Sequence, residues 1–216
     1  MTKIKLLLLA LLQLSIYAIS FEGKVLYIHD GDTMTVYSDF LGKKKNIRML
    51  GIDTPEVNFN GNTQGQISLD ARDFLRSLVP IGSMVTIDLG RDGDLNTRRL
   101  LGTVLYKGQD INYEMLKSGL AVPYFIEPFD KEIMYKYMEI SERVFLEEIG
   151  LYALDVQLPY EFRMSVQNRV GTNYVGDLKT KILYSPEDGH LVPPYRRLFI
   201  RSFERAMQLG YKLFTK

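Results

Sequence analysis

Two short acidic motifs stand some twenty residues apart in this 216-residue chain: Asp30-Gly31-Asp32-Thr33 and Asp53-Thr54-Pro55-Glu56. Each follows a run that reads as a β-strand, and a third polar element, Arg98-Arg99, lies further on. Carboxylates at strand ends with a threonine carbonyl beside them suit a hard cation such as Ca²⁺. Arginines nearby suit the negative charge that builds on a phosphodiester under attack, because the planar fork meets phosphate oxygens in pairs. Phosphoryl transfer asks a protein for positioning and charge neutralisation more than for covalent help. The pattern therefore points to a metal-dependent phosphodiesterase, most simply a nuclease.

Each residue also has a plainer reading. Asp-Gly is a common hairpin signal, so Asp30 and Asp32 can serve only to shape a turn. Glu56, behind a proline, can be an ordinary solvated residue. Arg48 is harder to dismiss, since an arginine inside an apolar strand has to be paired or functional. Strict alternation puts Arg48 and Asp53 on opposite faces, so a twist, bulge or turn has to bring them together. His29 and His190 are the only histidines and are far apart in sequence, which argues against a histidine–metal centre. Tyr124 or Phe125 would suit stacking on a base, or plain packing.

The elements that position these residues follow from periodicity. Lys24–Ile28 and Thr33–Tyr37 are rich in β-branched and aromatic residues, with Gly31 supplying the turn between them. Lys43-Lys44-Lys45-Asn46 reads as a polar hairpin tip, and Ile47–Ile52 as a third strand ended by Pro55. Ile67, Ala71, Phe74, Leu75 and Leu78 recur at helical spacing, and Pro80 stops that helix. Met84–Leu89 and Leu100–Tyr106 complete five strands. A short helix over Tyr113–Ser118 ends at Gly119, and a longer one runs from Asp130 to Glu148. Five short strands with helices between and after them predict an α+β, mainly β fold: a Greek-key barrel of the oligonucleotide-binding (OB) type.

Composition narrows the class. The chain has no cysteine, so neither a disulfide nor a thiolate metal site is available. Its formal net charge is +1, too balanced for a protein that coats nucleic acid non-specifically, and this favours a local site. Lys3 and Lys5, an apolar stretch from Leu6 to Ile19, and small residues at Ala18 and Ser20 have the layout of an export signal cut after Ser20. That stretch is too short to span a bilayer comfortably. The expected organisation is a leader over 1–20, a catalytic domain over 21–155 and a C-terminal extension over 156–216.

With those pieces in order, Val25–Tyr152 resembles the staphylococcal nuclease (thermonuclease) family. The matching segments are Asp30-Gly31-Asp32-Thr33, Ile47 through Glu56, Arg99-Leu100-Leu101-Gly102, Asn112 through Ala121, and Ser141-Glu142 through Gly150-Leu151-Tyr152. Tyr152 stands where the family often has tryptophan. The resemblance implies that Asp32 and Asp53 ligate Ca²⁺ with their side chains, and that Thr54 adds its carbonyl. It implies that Glu56 holds the attacking water, and that Arg48 and Arg99 grip the scissile phosphate. The residues before Arg99 depart from the family pattern, leaving Arg98 as the alternative under a one-residue slip. The implied activity is hydrolysis of DNA and RNA leaving 3′-phosphates, by an exported monomer with no stable protein partner. The competing classes are a catalytically silent barrel that binds nucleic acid or protein, and a phosphodiesterase acting on another diester.

Residues 156–216 lie outside the resemblance. Pro159–Asn168 and Tyr174–Tyr184 read as strands, with a turn at Pro186–Gly189. Phe199, Phe203, Ala206, Met207, Gly210 and Phe214 fall on one helical face, flanked by Arg196, Arg197, Arg201 and Arg205. That arrangement predicts a helix docked on the barrel, or a basic strip that extends nucleic-acid binding.

Overall fold

The computed structural model describes residues 19–90 and 94–215. The expected leader falls on residues 1–18, outside the described residues, except for its last two positions. Those two already belong to the barrel: Ile19 bonds to the backbone of Leu89 and Gly90, and Ser20 opens the first strand.

Five strands close the barrel: β1 (Ser20–Ile28), β2 (Thr33–Ser38), β3 (Lys43–Met49), β4 (Met84–Asp88) and β5 (Arg99–Tyr106). They run in the order β3-β2-β1-β4-β5, and β5 returns parallel to β3 to complete the circuit. This is the expected OB-type topology. The strands form because their sequences alternate: in β1, Phe21, Val25 and Ile28 point into the barrel while Ser20, Glu22 and Lys24 face outward. The polar tip lies earlier than expected. The chain reverses over Asp39–Gly42, and Lys43–Asn46 is already ladder, paired with Thr35–Ser38.

Helix α1 (Gln66–Leu78) lays Ala71 and Leu75 into the core, and its following Val79 is fully buried too. Burying Leu75 or Val79 in this way contributes about 1.5–3 kcal/mol each relative to exposure. Helices α2 (Ile111–Lys117) and α3 (Lys131–Leu146) start where a carboxylate caps them: Asp110 accepts from Tyr113 N–H and Asp130 from Ile133 N–H. No described helix is long and apolar enough to cross a membrane.

The C-terminal segment departs most from expectation. Pro159–Val166 is a helix, α4, not a strand; Pro159 sits in its first turn, where a missing N–H costs nothing. The expected long helix is instead strand β9 (Arg197–Ile200), a short helix α5 (Phe203–Gln208) and strand β10 (Lys212–Leu213). Gly210, with φ of 81°, ends the helical stretch. The hairpin β7 (Tyr174–Asp177) and β8 (Ile182–Tyr184) completes a sheet ordered β10-β8-β7-β9-β6. Its last member, β6 (Phe125–Ile126), comes from the chain that precedes α3, and β9 lies parallel to it. Leu178, Leu183, Leu198 and Ile200 join the same buried cluster as Val25, Ile47 and Leu100, so barrel and extension share one core. The arginines do not form a free strip: Arg196 pairs with Asp177, Arg197 with Glu161 and Arg205 with Glu127.

Candidate active site

Asp32 ends the β1–β2 turn. Its own N–H donates to Asp30 Oδ1 at 3.0 Å, so Asp30 shapes the turn while Asp32 is left pointing inward. Gly31 is needed here for space: a Cβ would lie 2.9 Å from the side chains of both Ala71 and Thr54. That close approach lets Thr54 N–H donate to Asp32 Oδ2 at 2.8 Å, tying the two motifs together. Thr33 Oγ1 donates to the other carboxylate oxygen at 2.9 Å.

Asp53 is fully buried at the end of a two-residue strand, Ile52–Asp53, paired with Val122–Pro123. The strand register alone would keep it away from Arg48. Gly51 removes the conflict, turning the chain with φ of 77° where a Cβ would strike Phe129. Asn112, buried on α2, fixes that turn by donating to Leu50 O at 2.9 Å while accepting from Val104 N–H. Arg48 and Asp53 therefore meet: Arg48 Nη2 lies 2.7 Å from Asp53 Oδ1, and its Nη1 lies 2.8 Å from Asp32 Oδ2. Arg48 Nη1 also donates to the carbonyls of Met49 and Ile52.

Glu56 follows Pro55 into a loop closed by Gln64, which accepts from the Glu56 N–H and donates its own N–H to the Glu56 carbonyl. Its carboxylate meets a residue that the sequence pattern did not single out. Arg163, on α4, donates through Nη1 to Glu56 Oε1 at 2.7 Å and to Asp53 Oδ1 at 2.8 Å, and through Nη2 to Asp53 Oδ2 at 2.9 Å. The guanidinium also lies over the ring of Tyr124 at 5.7 Å. No clear signal marks it in the sequence: Phe162 and Met164 flank it, but Glu161 two residues before supplies an ordinary charged neighbour.

Burial pushes the carboxyls of Asp53 and Glu56 upward, against the pull of Arg163. Asp30 is raised well above its ordinary range by burial and then by the charge of Asp32. Burial alone would lower Arg48 and Arg163, but the surrounding carboxylates more than reverse it and both guanidiniums stay charged. Tyr124 is pushed up to about 12 by burial and by Asp53.

Arg99 opens β5 on the exposed side of the barrel, with Asn46 as its register partner in β3. Register then continues from Asn46 to Thr35 and from Thr35 to Tyr27, a row across four strands on the outward face. Thr35 Oγ1 donates to Asn46 Oδ1 at 2.7 Å and lies 2.8 Å from His29 Nε2. Tyr27, half exposed, packs edge-on against His29. Arg98 is exposed just before the strand. Lys45 Nζ donates to the carbonyls of Leu95 and Thr97, anchoring the loop that leads to Arg99. Phe125 is buried in the core, and Tyr124 packs with Tyr160 and Phe199. His190 bonds to the Glu187 carbonyl.

The oxygens of Asp32, Asp53, Glu56 and Thr54 form a hard donor set, and Thr54 Oγ1 is buried without a hydrogen-bond partner. Among the described residues no three acidic or imidazole side chains already converge as a metal cluster, because guanidiniums stand between them. The donor type fits a hard divalent cation; the present partners of those donors are Arg48 and Arg163.

The profile of the family described as "Staphylococcal nuclease homologue" matches residues 46–144. The chain is 31% identical over 202 residues to "Endonuclease YhcR" of Bacillus subtilis (strain 168), covering 89% of this chain and 16% of that protein. It is 31% identical over 120 residues to "Thermonuclease" of Staphylococcus hyicus, covering 56% of this chain and 66% of the relative. It is 36% identical over 106 residues to "Endonuclease YncB" of Bacillus subtilis (strain 168), covering 48% of this chain and 49% of the relative. The chain thus spans less than two thirds of the length of each. A match over 89% of the chain leaves about 24 residues outside it, so the first of these similarities runs well into 156–216.

Proposed function

The chain belongs to the staphylococcal nuclease family, and on that footing we propose that it is a Ca²⁺-dependent nuclease that hydrolyses DNA and RNA and leaves 3′-phosphates. The observation that carries this reading is the meeting of Asp32, Arg48 and Asp53 at the mouth of the barrel, with Glu56 beside them. Three carboxylates gathered on two guanidiniums, with burial pushing two of them upward, form the kind of perturbed cluster that serves a cation or a base and that a module which only binds nucleic acid does not need.

In this reading Asp32, Asp53 and the Thr54 carbonyl hold the Ca²⁺. When bound, the cation neutralises charge on the phosphate and favours ionised water. Arg48 is pinned by two carboxylates and two carbonyls, so it needs no reorganisation to meet a phosphate, and Arg99 reaches the same diester from the adjoining strand. Glu56 orients the attacking water and takes its proton. The substrate strand runs along the outward row toward Tyr27, whose exposed ring suits stacking on a base. Export on an N-terminal leader cut close to the start of the first barrel strand, and action as a monomer, complete the proposal.

The test is digestion of single- and double-stranded DNA and RNA with Ca²⁺, Mg²⁺ or excess chelator. Cleavage in Ca²⁺ that stops on chelation is the expected result, and full activity in chelator would refute the metal assignment. A second reading, a silent barrel that binds nucleic acid or protein, draws on the neutralisation of Asp53 and Glu56 by Arg163. Tight, salt-sensitive oligonucleotide binding with no cleavage in any metal would favour it.

A further inference from the structure

We infer that Arg163 is a resident counter-ion of the carboxylate site, which a divalent cation must displace, so that the C-terminal helix α4 responds to occupancy of the site. The inference rests on the metal-binding part of the proposed function.

Arg163 comes from outside the family-matched segment and lies 110 positions from Asp53. Its fork spans both oxygens of Asp53, at 2.8 and 2.9 Å. Asp53 Oδ1 also accepts from Arg48, so both lone pairs of that oxygen are taken by guanidiniums. A cation that ligates Oδ1 has to displace one of them. Arg48 is additionally fixed by Asp32 and two backbone carbonyls, whereas the partners of Arg163 among the described residues are Asp53, Glu56 and the Tyr124 ring. Arg163 is the more exposed of the two, at 16% against 11%, and no backbone carbonyl among the described residues fixes it, so it is the one with a path to leave. Charge points the same way: Asp32, Asp53 and Glu56 face two guanidiniums, leaving one net negative charge, and without Arg163 two remain, which a divalent cation cancels.

The helix need not undock for this exchange. Tyr160 packs against Tyr124 and Phe199, and Glu161 pairs with Arg197, so α4 stays attached when the Arg163 side chain swings away. On its other flank α4 borders a cavity of about 300 Å³, lined by Tyr160, Met164, Ser165, Arg169 and His190, which gives the helix room to shift.

The experiment is calorimetric titration of Ca²⁺ into the intact protein without nucleic acid, comparing wild type with Arg163→Gln and Arg163→Lys. Removing a competing charge-assisted fork should tighten Ca²⁺ binding on the order of tenfold to a hundredfold in Arg163→Gln, with Arg163→Lys in between. In wild type, hydrogen exchange over 159–167 should quicken on Ca²⁺ saturation, a measurement that needs no variant to fold. Unchanged or weaker Ca²⁺ binding by the variants would overturn the inference. So would unaltered exchange in α4, or no Ca²⁺ binding by any of the three proteins. Ca²⁺ binding with faster exchange in α4 but no cleavage of nucleic acid would leave the inference standing while sinking the nuclease reading.

Discussion

In the barrel, every carboxylate of the candidate site stands beside a turn: Asp32 after the Asp30–Gly31 turn, Asp53 after Gly51, Glu56 after Pro55. In the C-terminal segment the one contributor, Arg163, projects from within a helix, where no turn chemistry marks it. The two regions also differ in what they bring. The barrel supplies carboxylates, and burial pushes those of Asp53 and Glu56 upward. The segment supplies a second guanidinium, beside Arg48 of the barrel, that makes their burial tolerable. Acidic donors that must converge need sharp turns to aim them, whereas one long arginine reaches the same point from a distance.

If the chemistry belongs to the barrel, Glu56→Gln should lower turnover by roughly 10²–10⁴-fold, the usual share of a general base, while oligonucleotide affinity holds or rises. Single-turnover cleavage measures it, and a wild-type rate would remove Glu56 from the mechanism. Arg48→Lys and Arg99→Lys come next, at roughly 10²–10³-fold each, because a point charge does not reproduce the fork. A crippled Arg98→Lys beside a near-normal Arg99→Lys would move the phosphate contact one residue upstream.

The same contrast predicts that damage confined to the C-terminal sheet stays there. Arg197 is buried, paired with Glu161, and donates to the carbonyls of Val192 and His190. Arg197→Met should destabilise that region by about 1–3 kcal/mol, seen as faster hydrogen exchange over 174–200. A fall in cleavage as large as that of Glu56→Gln would erase the division of labour.

The smallest effect concerns Asp30. Its folded-state pKa is raised, so the folded protein holds this proton more tightly than the unfolded chain does. The stabilisation from that proton is complete below the unfolded value, about 4, and is lost as pH rises through the folded one. Asp30→Asn keeps an oxygen for the Asp32 N–H but has no charge to bury. In chelator, its melting temperature should exceed wild type near neutral pH, and the gap should close in acid. A gap that widened in acid would reverse the assignment.

The barrel was legible because its signals were local and agreed with one another. Alternation gave β1, β2, β4 and β5, the apolar spacing of Ala71 and Leu75 gave α1, and Asp130 marked the start of α3. The hairpin tip was misplaced because three consecutive lysines look like a loop, although ladder pairing tolerates them on an outward edge and Lys45 has carbonyls to bond. In the C-terminal segment the periodicity of Phe199 to Phe214 fitted a helix, but β9 is buried along its whole length between β7 and β6 and carries no alternation. Tertiary contacts decided that region. Arg163 was missed for the same reason: its partners are remote in sequence, and only the folded chain brings them together.

The borrowed strand Phe125–Ile126 has a consequence for how the protein is made and cut. It is synthesised some seventy residues before its parallel partner Leu198–Phe199, so a growing chain carries it as an open edge until the last part of the sequence emerges. A shortened protein ending at residue 155, designed to isolate the barrel, would keep that edge open permanently and uncover the packing surface of Tyr124. It would also free Asp53 and Glu56 from Arg163. Such a truncation is better judged as a different molecule, stickier and more strongly charged at its mouth, than as this one with an ornament removed.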